Sequence, residues 1–306
     1  MLGLELGNGV GIVKDARGIT AVIIHIVLGC LSAFFLIPLL LVASISLTQQ
    51  QWVNAHGFSL WPHVFSLEAY QYILQAPSIL LHAYGVTIFI TVVGTTASLL
   101  MVTLIGYVIS RPDYAYRGVT TLYIYFTMLF SGGLVPFYFL MTKYLHLGNT
   151  VWAMIVPGLV SPFYVLVMKG FLAKIPMEII EAAKIDGAGE WRIFFRIVLP
   201  MATPALATVG VFTSFAYWTE WFNALLFTTT QSLTPIQLLL YRIFDDISLI
   251  TSNPQAAAAL HLSFEKIPTT ALEMAMVMFV AVPILAVFPL LRRYYVQGLT
   301  VGSLKG

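Results

Sequence analysis

The residues best suited to chemistry lie in one stretch of the sequence, in which Trp218, Glu220, Trp221 and Asn223 occur within six positions. Sugars suit such a set, because their C–H faces stack on aromatic rings while their hydroxyl groups hydrogen-bond to carboxylates and amides. Tryptophans near the outer boundary of a membrane also form interfacial aromatic belts. A carboxylate inside hydrocarbon costs roughly 2.5 to 3.5 kcal/mol, so we expect Glu220 to face a transport path or a partner protein.

Other kinds of chemistry have weaker support in the sequence. It contains no cluster of metal ligands, no glycine-rich phosphate loop and no nucleophile elbow. An intramembrane enzyme needs reactive groups that face each other across spans, and His25 and His82 do not supply that spacing. An ion-coupled secondary carrier for a polar solute stays an alternative, with Glu220 and Glu273 as its candidate acidic residues. A single cysteine, Cys30, excludes a disulfide framework.

The elements that position these residues are expected to be membrane-spanning helices. Of the 306 residues, 59% are hydrophobic and 9% are charged, and the mean hydropathy is +0.90. These values lie far outside the range of soluble domains. Long apolar runs favour helices over an outer-membrane barrel, whose strands alternate. A net charge of +2 is too small to indicate a nucleic-acid partner. The sequence therefore predicts an all-α membrane protein.

We predict about six transmembrane helices after an N-terminal lead, 1–18. The spans lie at about 19–47, 82–109, 119–134, 151–172, 202–227 and 270–291. Ser131–Gly133 and Pro136 should interrupt the third span and leave a separate helix over Pro136–Leu145. An outer loop, 228–269, joins the last two spans, with a partly disordered connector as its alternative. A cytoplasmic tail, 292–306, follows the sixth span.

The distribution of positive charge predicts the orientation of these spans. Twelve of the fifteen Lys and Arg residues fall in segments on the same side as both termini. Only Lys143, Arg242 and Lys266 fall on the other side. Cytoplasmic segments of membrane proteins carry the excess of Lys and Arg. Both termini are therefore predicted to be cytoplasmic.

Segment 175–200 is polar, unlike the apolar runs around it, and its residues predict a helix, a turn and a second helix. Pro176 suits the first position of a helix, and Gly187 can adopt the left-handed conformation that ends it. A second short helix is predicted over Glu190–Leu199, before Pro200. The small side chains of Ala182 and Ala183 would let a partner surface approach closely, as for a helix seated in a groove. An amphipathic helix on the bilayer surface is the alternative.

Glu181-Ala182-Ala183, Gly187 and Ile197–Pro200 together resemble the "EAA" loop of permease subunits of ABC-type importers. The resemblance implies that segment 175–200 is a cytoplasmic coupling loop, whose first helix sits in a cleft of an ATPase subunit. The coupling residues that it implies are Glu181, Ala182, Ala183, Asp186 and Gly187. It also implies the type I ABC importer permease fold.

Further motifs narrow the resemblance to carbohydrate-importer permeases of the maltose-transporter type, most similar to the branch that handles oligosaccharides derived from polysaccharides. The motifs are Ser131–Pro136, Gly148–Thr150, Ile185–Ala188 and Gly298–Gly306, and the resemblance covers about residues 66–306. It implies a bacterial inner-membrane complex with a second homologous permease, two ATPase subunits and an extracytoplasmic solute-binding protein, which the outer loop contacts. Gly302, Ser303 and Lys305 in the tail are implied to contact the ATPase. This chain is expected to have no catalytic residue, cofactor or metal, since the partner ATPase uses ATP and Mg. Trp218, Glu220, Trp221 and Asn223 are then candidates for the substrate path of an oligosaccharide.

Overall fold

The computed structural model describes residues 8–252 and 268–303, and within these ranges the chain is helical without a regular strand. The helices are α1 (Asn8–Ser46), α2 (Gln50–His56), α3 (Glu68–Ile73), α4 (Pro77–Ser110), α5 (Arg117–Leu129), α6 (Leu134–Phe139), α7 (Trp152–Ile155), α8 (Pro162–Leu172), α9 (Met177–Ile185), α10 (Glu190–Ile193), α11 (Leu199–Met201), α12 (Thr203–Trp218), α13 (Phe222–Phe227), α14 (Ile236–Ser252) and α15 (Thr269–Ser303). Shorter turns are the π-helical Leu140–Tyr144 and Phe194–Val198 and the 3-10 helical Val156–Gly158 and Gln231–Leu233. The predicted all-α fold class is confirmed.

Six membrane crossings follow from length and apolar composition in the described ranges, if each bent helix pair crosses once. Three single helices qualify, namely Thr20–Ser46 within α1, all of α4, and Thr269–Val287 within α15. The bent pairs are Arg117–Leu129 with Leu134–Tyr144 (111°), Trp152–Gly158 with Pro162–Leu172 (47°), and Glu190–Met201 with Thr203–Trp218 (79°). This number agrees with the prediction of about six spans.

Glycine and proline residues account for the first two bends. Gly133 has φ +87°, which a residue with a side chain rarely adopts, and it lies between α5 and α6. The predicted interruption at Ser131–Gly133 is confirmed, although the next helix begins at Leu134 rather than at Pro136. Pro162 begins α8, where its missing N–H costs no helical hydrogen bond.

Some helix ends differ from the predicted boundaries. The lead, 1–18, is not separate from the first span, because α1 already begins at Asn8. The fifth predicted span, 202–227, is two helices, since α12 ends at Trp218 and α13 begins at Phe222. The last helix runs through the predicted boundary at 291 into the tail, to Ser303.

The predicted outer loop, 228–269, contains the 17-residue helix α14, so a disordered connector is wrong for that part of it. Its apolar side packs inward, with Ile236 and Leu238 fully buried. Residues 253–267 of this loop, with Lys266 and the alanine run 256–259, lie outside the described residues.

The chain divides into two compact units, residues 1–73 with 257–278, and residues 74–256 with 279–306. In the first, the small buried side chains of Ala69, Ala271 and Ala275 let α3 and the start of α15 approach closely. The side-chain oxygen of Gln50 also accepts a hydrogen bond from the Ala271 backbone N–H at 2.9 Å. In the second, α4 packs along both α8 and α12.

The packing of α4 depends on two small residues. A Cβ at Gly106 would lie 3.0 Å from the Cβ of Met168 on α8. A Cβ at Gly94 would lie 2.6 Å from the ring of Tyr217 on α12. The Tyr217 hydroxyl donates to the Ile155 carbonyl at 2.9 Å, so this buried ring joins three elements of the second unit. Sequence reasoning missed this packing role of Tyr217.

Candidate functional site

The first helix of segment 175–200, the predicted coupling loop, is α9, and it ends in a glycine-dependent turn. Gly187 has φ +76°, and its N–H donates to the Lys184 carbonyl at 3.0 Å. The next N–H, of Ala188, donates to the Ala183 carbonyl at 2.9 Å. This pair of bonds is the Schellman motif, which satisfies the last carbonyls of a helix. The predicted stop at Gly187 is confirmed, and Pro176 lies one position before the helix rather than at its first residue.

The two faces of α9 have different surroundings. Ile180 and Ala183 are 4% and 9% exposed and belong to a core that includes Ile193 and Phe194. The sequence analysis expected Ala183 to let a partner approach closely. This expectation is wrong, because the chain's own core already occupies that side of α9.

The opposite face of α9 is open. Ile179, Glu181, Ala182 and Asp186 are exposed, and Ile185 is 86% exposed. One apolar face of α9 is thus packed on the chain's own core. The opposite face carries both apolar and acidic side chains and is open, which suits a helix that binds in a partner groove. Of the two alanines, Ala182 is the one that permits a close approach.

An ion-pair cluster fixes this loop to the end of α4, and sequence reasoning missed it. Arg111, the residue that follows α4, donates from Nη1 to Glu190 Oε2 at 2.5 Å and from Nε to Asp113 Oδ1 at 2.8 Å. Its Nη2 also contacts Asp113. Lys184 on α9 lies 3.1 Å from Glu190 Oε1 and 3.5 Å from Asp113 Oδ2. Two cations and two carboxylates thus join α4, α9 and α10.

The charges in this cluster stabilise one another. Hydrogen bonding to Arg111 lowers the pKa of Asp113 to about 2, and the nearby charge of Lys184 acts in the same direction. Hydrogen bonding to Asp113 raises the pKa of Arg111. Asp113 is therefore ionised at neutral pH, beside the permanently charged guanidinium of Arg111.

A basic residue directly after an apolar span is the signal that could have drawn attention to Arg111. Its guanidinium also lies over the ring of Tyr107, 5.5 Å from the centroid, and Nη1 donates to that hydroxyl at 3.0 Å. The side chain of Arg111 is only 10% exposed. Such a buried guanidinium with bidentate partners is a positioning group rather than a solvated surface charge.

The predicted substrate-path residues lie around the break between α12 and α13, but they do not converge on one cavity. Trp218 donates from Nε1 to the Val280 carbonyl on α15 at 3.3 Å. It lines an apolar cavity of about 210 Å³ together with Thr91 and Pro283. Trp221 instead stacks on Tyr241 of α14, with ring centroids 4.8 Å apart.

Glu220 was expected to face a transport path or a partner protein, but its carboxylate already has hydrogen-bond partners within the chain. Its two carboxylate oxygens accept hydrogen bonds from the backbone N–H of Asn223 at 2.8 Å and from the Asn223 side-chain amide at 2.9 Å. Asn223 lies in the first turn of α13, where unpaired N–H groups favour a negative charge. Glu220 is therefore stabilised locally, and Asn223 is its partner.

A row of hydroxyl groups between α4 and α12 was also missed by sequence reasoning. The side-chain oxygens of Thr91, Thr95, Ser98 and Thr213 are buried and have no hydrogen-bond partner in the described part of the chain. Thr91 lines the 210 Å³ cavity, and Thr95 lines a second cavity of about 420 Å³. Buried polar groups without partners cost stability, and the oxygens of Thr91 and Thr95 lie behind the apolar walls of the two cavities.

The remaining predicted contacts lie in the tail. The backbone of Gly302 and Ser303 belongs to α15, and Lys305 lies outside the described residues. No group of three His, Cys, Asp or Glu that could hold a metal ion occurs in the described ranges.

Most of the sequence matches a known protein family. Residues 7–261 match the binding-protein-dependent transport system inner membrane component family. The chain belongs to this family. The resemblance predicted from the EAA loop is therefore confirmed.

Relatives of this importer permease cover most of its length. The protein LplC of Bacillus subtilis (strain 168) is 33% identical over 91% of this chain and 92% of its own. The polygalacturonan/rhamnogalacturonan transport system permease protein YtcP of the same organism is 35% identical over 92% of this chain and 97% of its own. A bacterial ABC transporter involved in the import of the acidic polysaccharide alginate contains a chain of the same fold, with a TM-score of 0.78 and 25% identity over 92% of this chain and 98% of that chain. The type I importer permease fold is thus confirmed.

Proposed function

We propose that this chain is one permease subunit of an ATP-driven importer of oligosaccharides in the bacterial cytoplasmic membrane. It would form half of the translocation path beside a second homologous permease, and it would couple that path to two ATPase subunits. An extracytoplasmic solute-binding protein would deliver the sugar. The partner ATPase would use ATP and Mg, and this chain would remain non-catalytic.

The observation that carries the coupling role is the geometry of α9. Its core face is packed on the chain, its opposite face exposes Ile185 and Ala182, and Arg111 fixes the loop to α4. A push on the open face would therefore reach a helix that is 34 residues, or about 50 Å, long. This connection supports α9 as the element that transmits ATPase movement into the membrane. We place both termini and this loop in the cytoplasm, as the positive charges favour.

The substrate class is supported by the names of the relatives and by the aromatic side chain of Trp218. Relatives include permeases for polygalacturonan/rhamnogalacturonan, arabinooligosaccharides and galactooligosaccharides. Trp218 would supply an aromatic surface in the cavity that it lines.

Replacement of each of two alanines by tryptophan tests the coupling role. Ala182→Trp places a large ring on the open face of α9, and Ala173→Trp places the same ring on an exposed alanine outside α9. We expect Ala182→Trp to abolish substrate-stimulated ATP turnover and uptake in reconstituted complexes, while Ala173→Trp retains both. Wild-type turnover in Ala182→Trp would contradict the assignment. Ala183→Trp is unsuitable, because it would disrupt the core.

The energy source separates the importer from an ion-coupled carrier. Uptake by the importer should stop when ATP is removed from the lumen of proteoliposomes and should persist with a protonophore. A carrier would behave in the opposite way.

Deletion of Gly302 to Gly306 tests the proposed tail contact, and we expect it to lower the ATPase rate of the assembled complex.

A further inference from the structure

A cavity whose largely apolar lining also carries polar and charged side chains lies at the end of α4 opposite segment 175–200. It has a volume of about 380 Å³ and is lined by Ser78 and His82 of α4, by Gln231 and Ser232 of the short 3-10 helix, and by Arg242 and Asp246 of α14. The ion-pair cluster at Arg111 follows the other end of α4, about 50 Å away along the helix axis. The cavity is therefore separate from segment 175–200, and it shares no lining residue with the Trp218 cavity.

Arg242 is held in this cavity with most of its donors available. Its Nη1 donates to Thr234 Oγ1 at 3.1 Å, and Thr234 is buried, so the guanidinium has a fixed anchor. A guanidinium carries five N–H donors in a planar fork. Asp246 lies one turn further along α14, yet the ion pairs of the described residues do not join it to Arg242. The two side chains therefore contribute a separate donor and acceptor to the cavity.

The other polar groups extend this mixed character. His82 donates from Nδ1 to the Ser78 carbonyl at 3.0 Å, which leaves Nε2 as an acceptor when the ring is neutral. Gln231 and Ser232 are exposed at the rim and supply both donors and acceptors. A metal ion would require several oxygen or nitrogen ligands without a cation beside them, so Arg242 argues against one. Closely spaced donors and acceptors instead match the hydroxyl groups of a sugar.

We propose that this cavity binds a uronic-acid unit of an acidic oligosaccharide, with the sugar carboxylate on Arg242 and the sugar hydroxyls on Asp246 and Gln231. Arg is the side chain best matched to a carboxylate, because its fork donates two parallel hydrogen bonds. A volume of about 380 Å³ lies at the lower end of the range for small-ligand sites, about 300 to 1,000 Å³, so it suits one sugar unit rather than a long segment. The inference rests on the oligosaccharide import proposed above and assigns it an acidic substrate class.

A cysteine protection experiment on the assembled transporter tests this site directly. Cys30 is the only cysteine, so S232C in a C30A background carries one thiol, at the rim of the cavity. The probes are digalacturonate and its neutral counterpart, a galactose disaccharide. Digalacturonate at about ten times its dissociation constant should slow thiol modification about tenfold, while the neutral disaccharide at the same concentration should leave the rate unchanged.

Two charge variants in the same background separate a built site from general attraction. Arg242→Gln removes the proposed carboxylate contact and should weaken protection by about tenfold or more. Lys143→Gln removes an exposed positive charge outside the cavity and should leave protection intact. The site is overturned if digalacturonate gives no protection, if protection survives Arg242→Gln, or if both variants reduce it equally.

ATP-dependent uptake of the same two sugars distinguishes failure of the site from failure of the proposed function. Uptake of both sugars without protection by digalacturonate would refute the cavity assignment and keep the oligosaccharide importer. Protection that Arg242→Gln abolishes, in a complex that takes up neither sugar, would support the cavity and contradict oligosaccharide import. In a complex that transports both, Arg242→Gln should lower uptake of digalacturonate and spare the neutral disaccharide.

Discussion

Replacement of Arg111 by glutamine should release the coupling loop from α4. Arg111 hydrogen-bonds to Asp113 and Glu190 and is 10% exposed, whereas these partners are 43% and 55% exposed. Ion pairs between exposed groups contribute about 0 to 1 kcal/mol, and breaking a fully buried pair costs about 3 to 5 kcal/mol. A buried cation with half-exposed partners lies between these limits, so we expect a loss of about 2 kcal/mol.

Hydrogen exchange of the backbone amides measures this loss where it acts. A change of about 2 kcal/mol alters the equilibrium between docked and open loop by about 30-fold. The N–H groups of Gly187 and Ala188 close the turn at the end of α9, so their exchange in the nucleotide-free transporter should accelerate by that factor. Arg111→Lys keeps the charge without the fork and should give a smaller acceleration.

Arg192→Gln is the matched control, because Arg192 is an exposed arginine in the same loop that the ion-pair cluster does not include. It should leave exchange at Gly187 and Ala188 unchanged. Wild-type exchange in Arg111→Gln, or equal acceleration in both variants, would refute the view that the cluster fixes the loop.

Three further outcomes follow from local geometry. Gly187→Val should lower coupled ATP turnover while Gly187→Asn retains more of it, because open space surrounds this Cβ position and the cost is the positive φ, which Asn tolerates better; equal activity would contradict this. Gly94→Ala should lower the melting temperature of the purified transporter, because the added Cβ would lie 2.6 Å from the Tyr217 ring, and Gly85→Ala, where nothing lies within 4 Å, is the control. The pKa of Asp113 is lowered to about 2 in the folded chain, so its contribution is complete above its unfolded value, near 4, and is lost as the pH falls through about 2. Exchange at Ala188, corrected for its intrinsic rate, should therefore not change between about pH 8 and pH 5, and a loss of protection across that range would contradict the cluster's charge states.

Much of the fold could be predicted because lipid restricts the options of a backbone. Without water, each N–H and C=O must be paired within its own segment, so apolar runs predict helices. The interruption at Ser131–Gly133 and the helix stop at Gly187 were predictable for a similar reason, since positive φ is a local property of glycine. The Glu181-Ala182-Ala183 pattern with Gly187 was also sufficient to predict the family.

Predictions about individual side chains were less successful where a neighbour decides the outcome. Glu220 was expected to face a path or a partner, yet its oxygens are satisfied by Asn223, only three positions away. The residue pattern could not predict these hydrogen bonds. They depend on an interruption of the helix at Thr219 to Trp221, which divides the predicted span into two helices. Helix α14 was missed because it lies between the last two predicted spans, in a segment without a span-length apolar run.

The sequence by itself determined the all-helical membrane fold, the permease family and the helix end at Gly187. Only the tertiary structure decided which side of that helix is open, because burial of Ala183 depends on Ile193 and Phe194 from a later turn of the chain. It also decided the partner of Arg111, since Glu190 lies 79 positions away. Helix formation and glycine stops arise from interactions within a few residues, whereas the exposed face and the ion pairs of a helix are set by segments that folding brings together from distant positions.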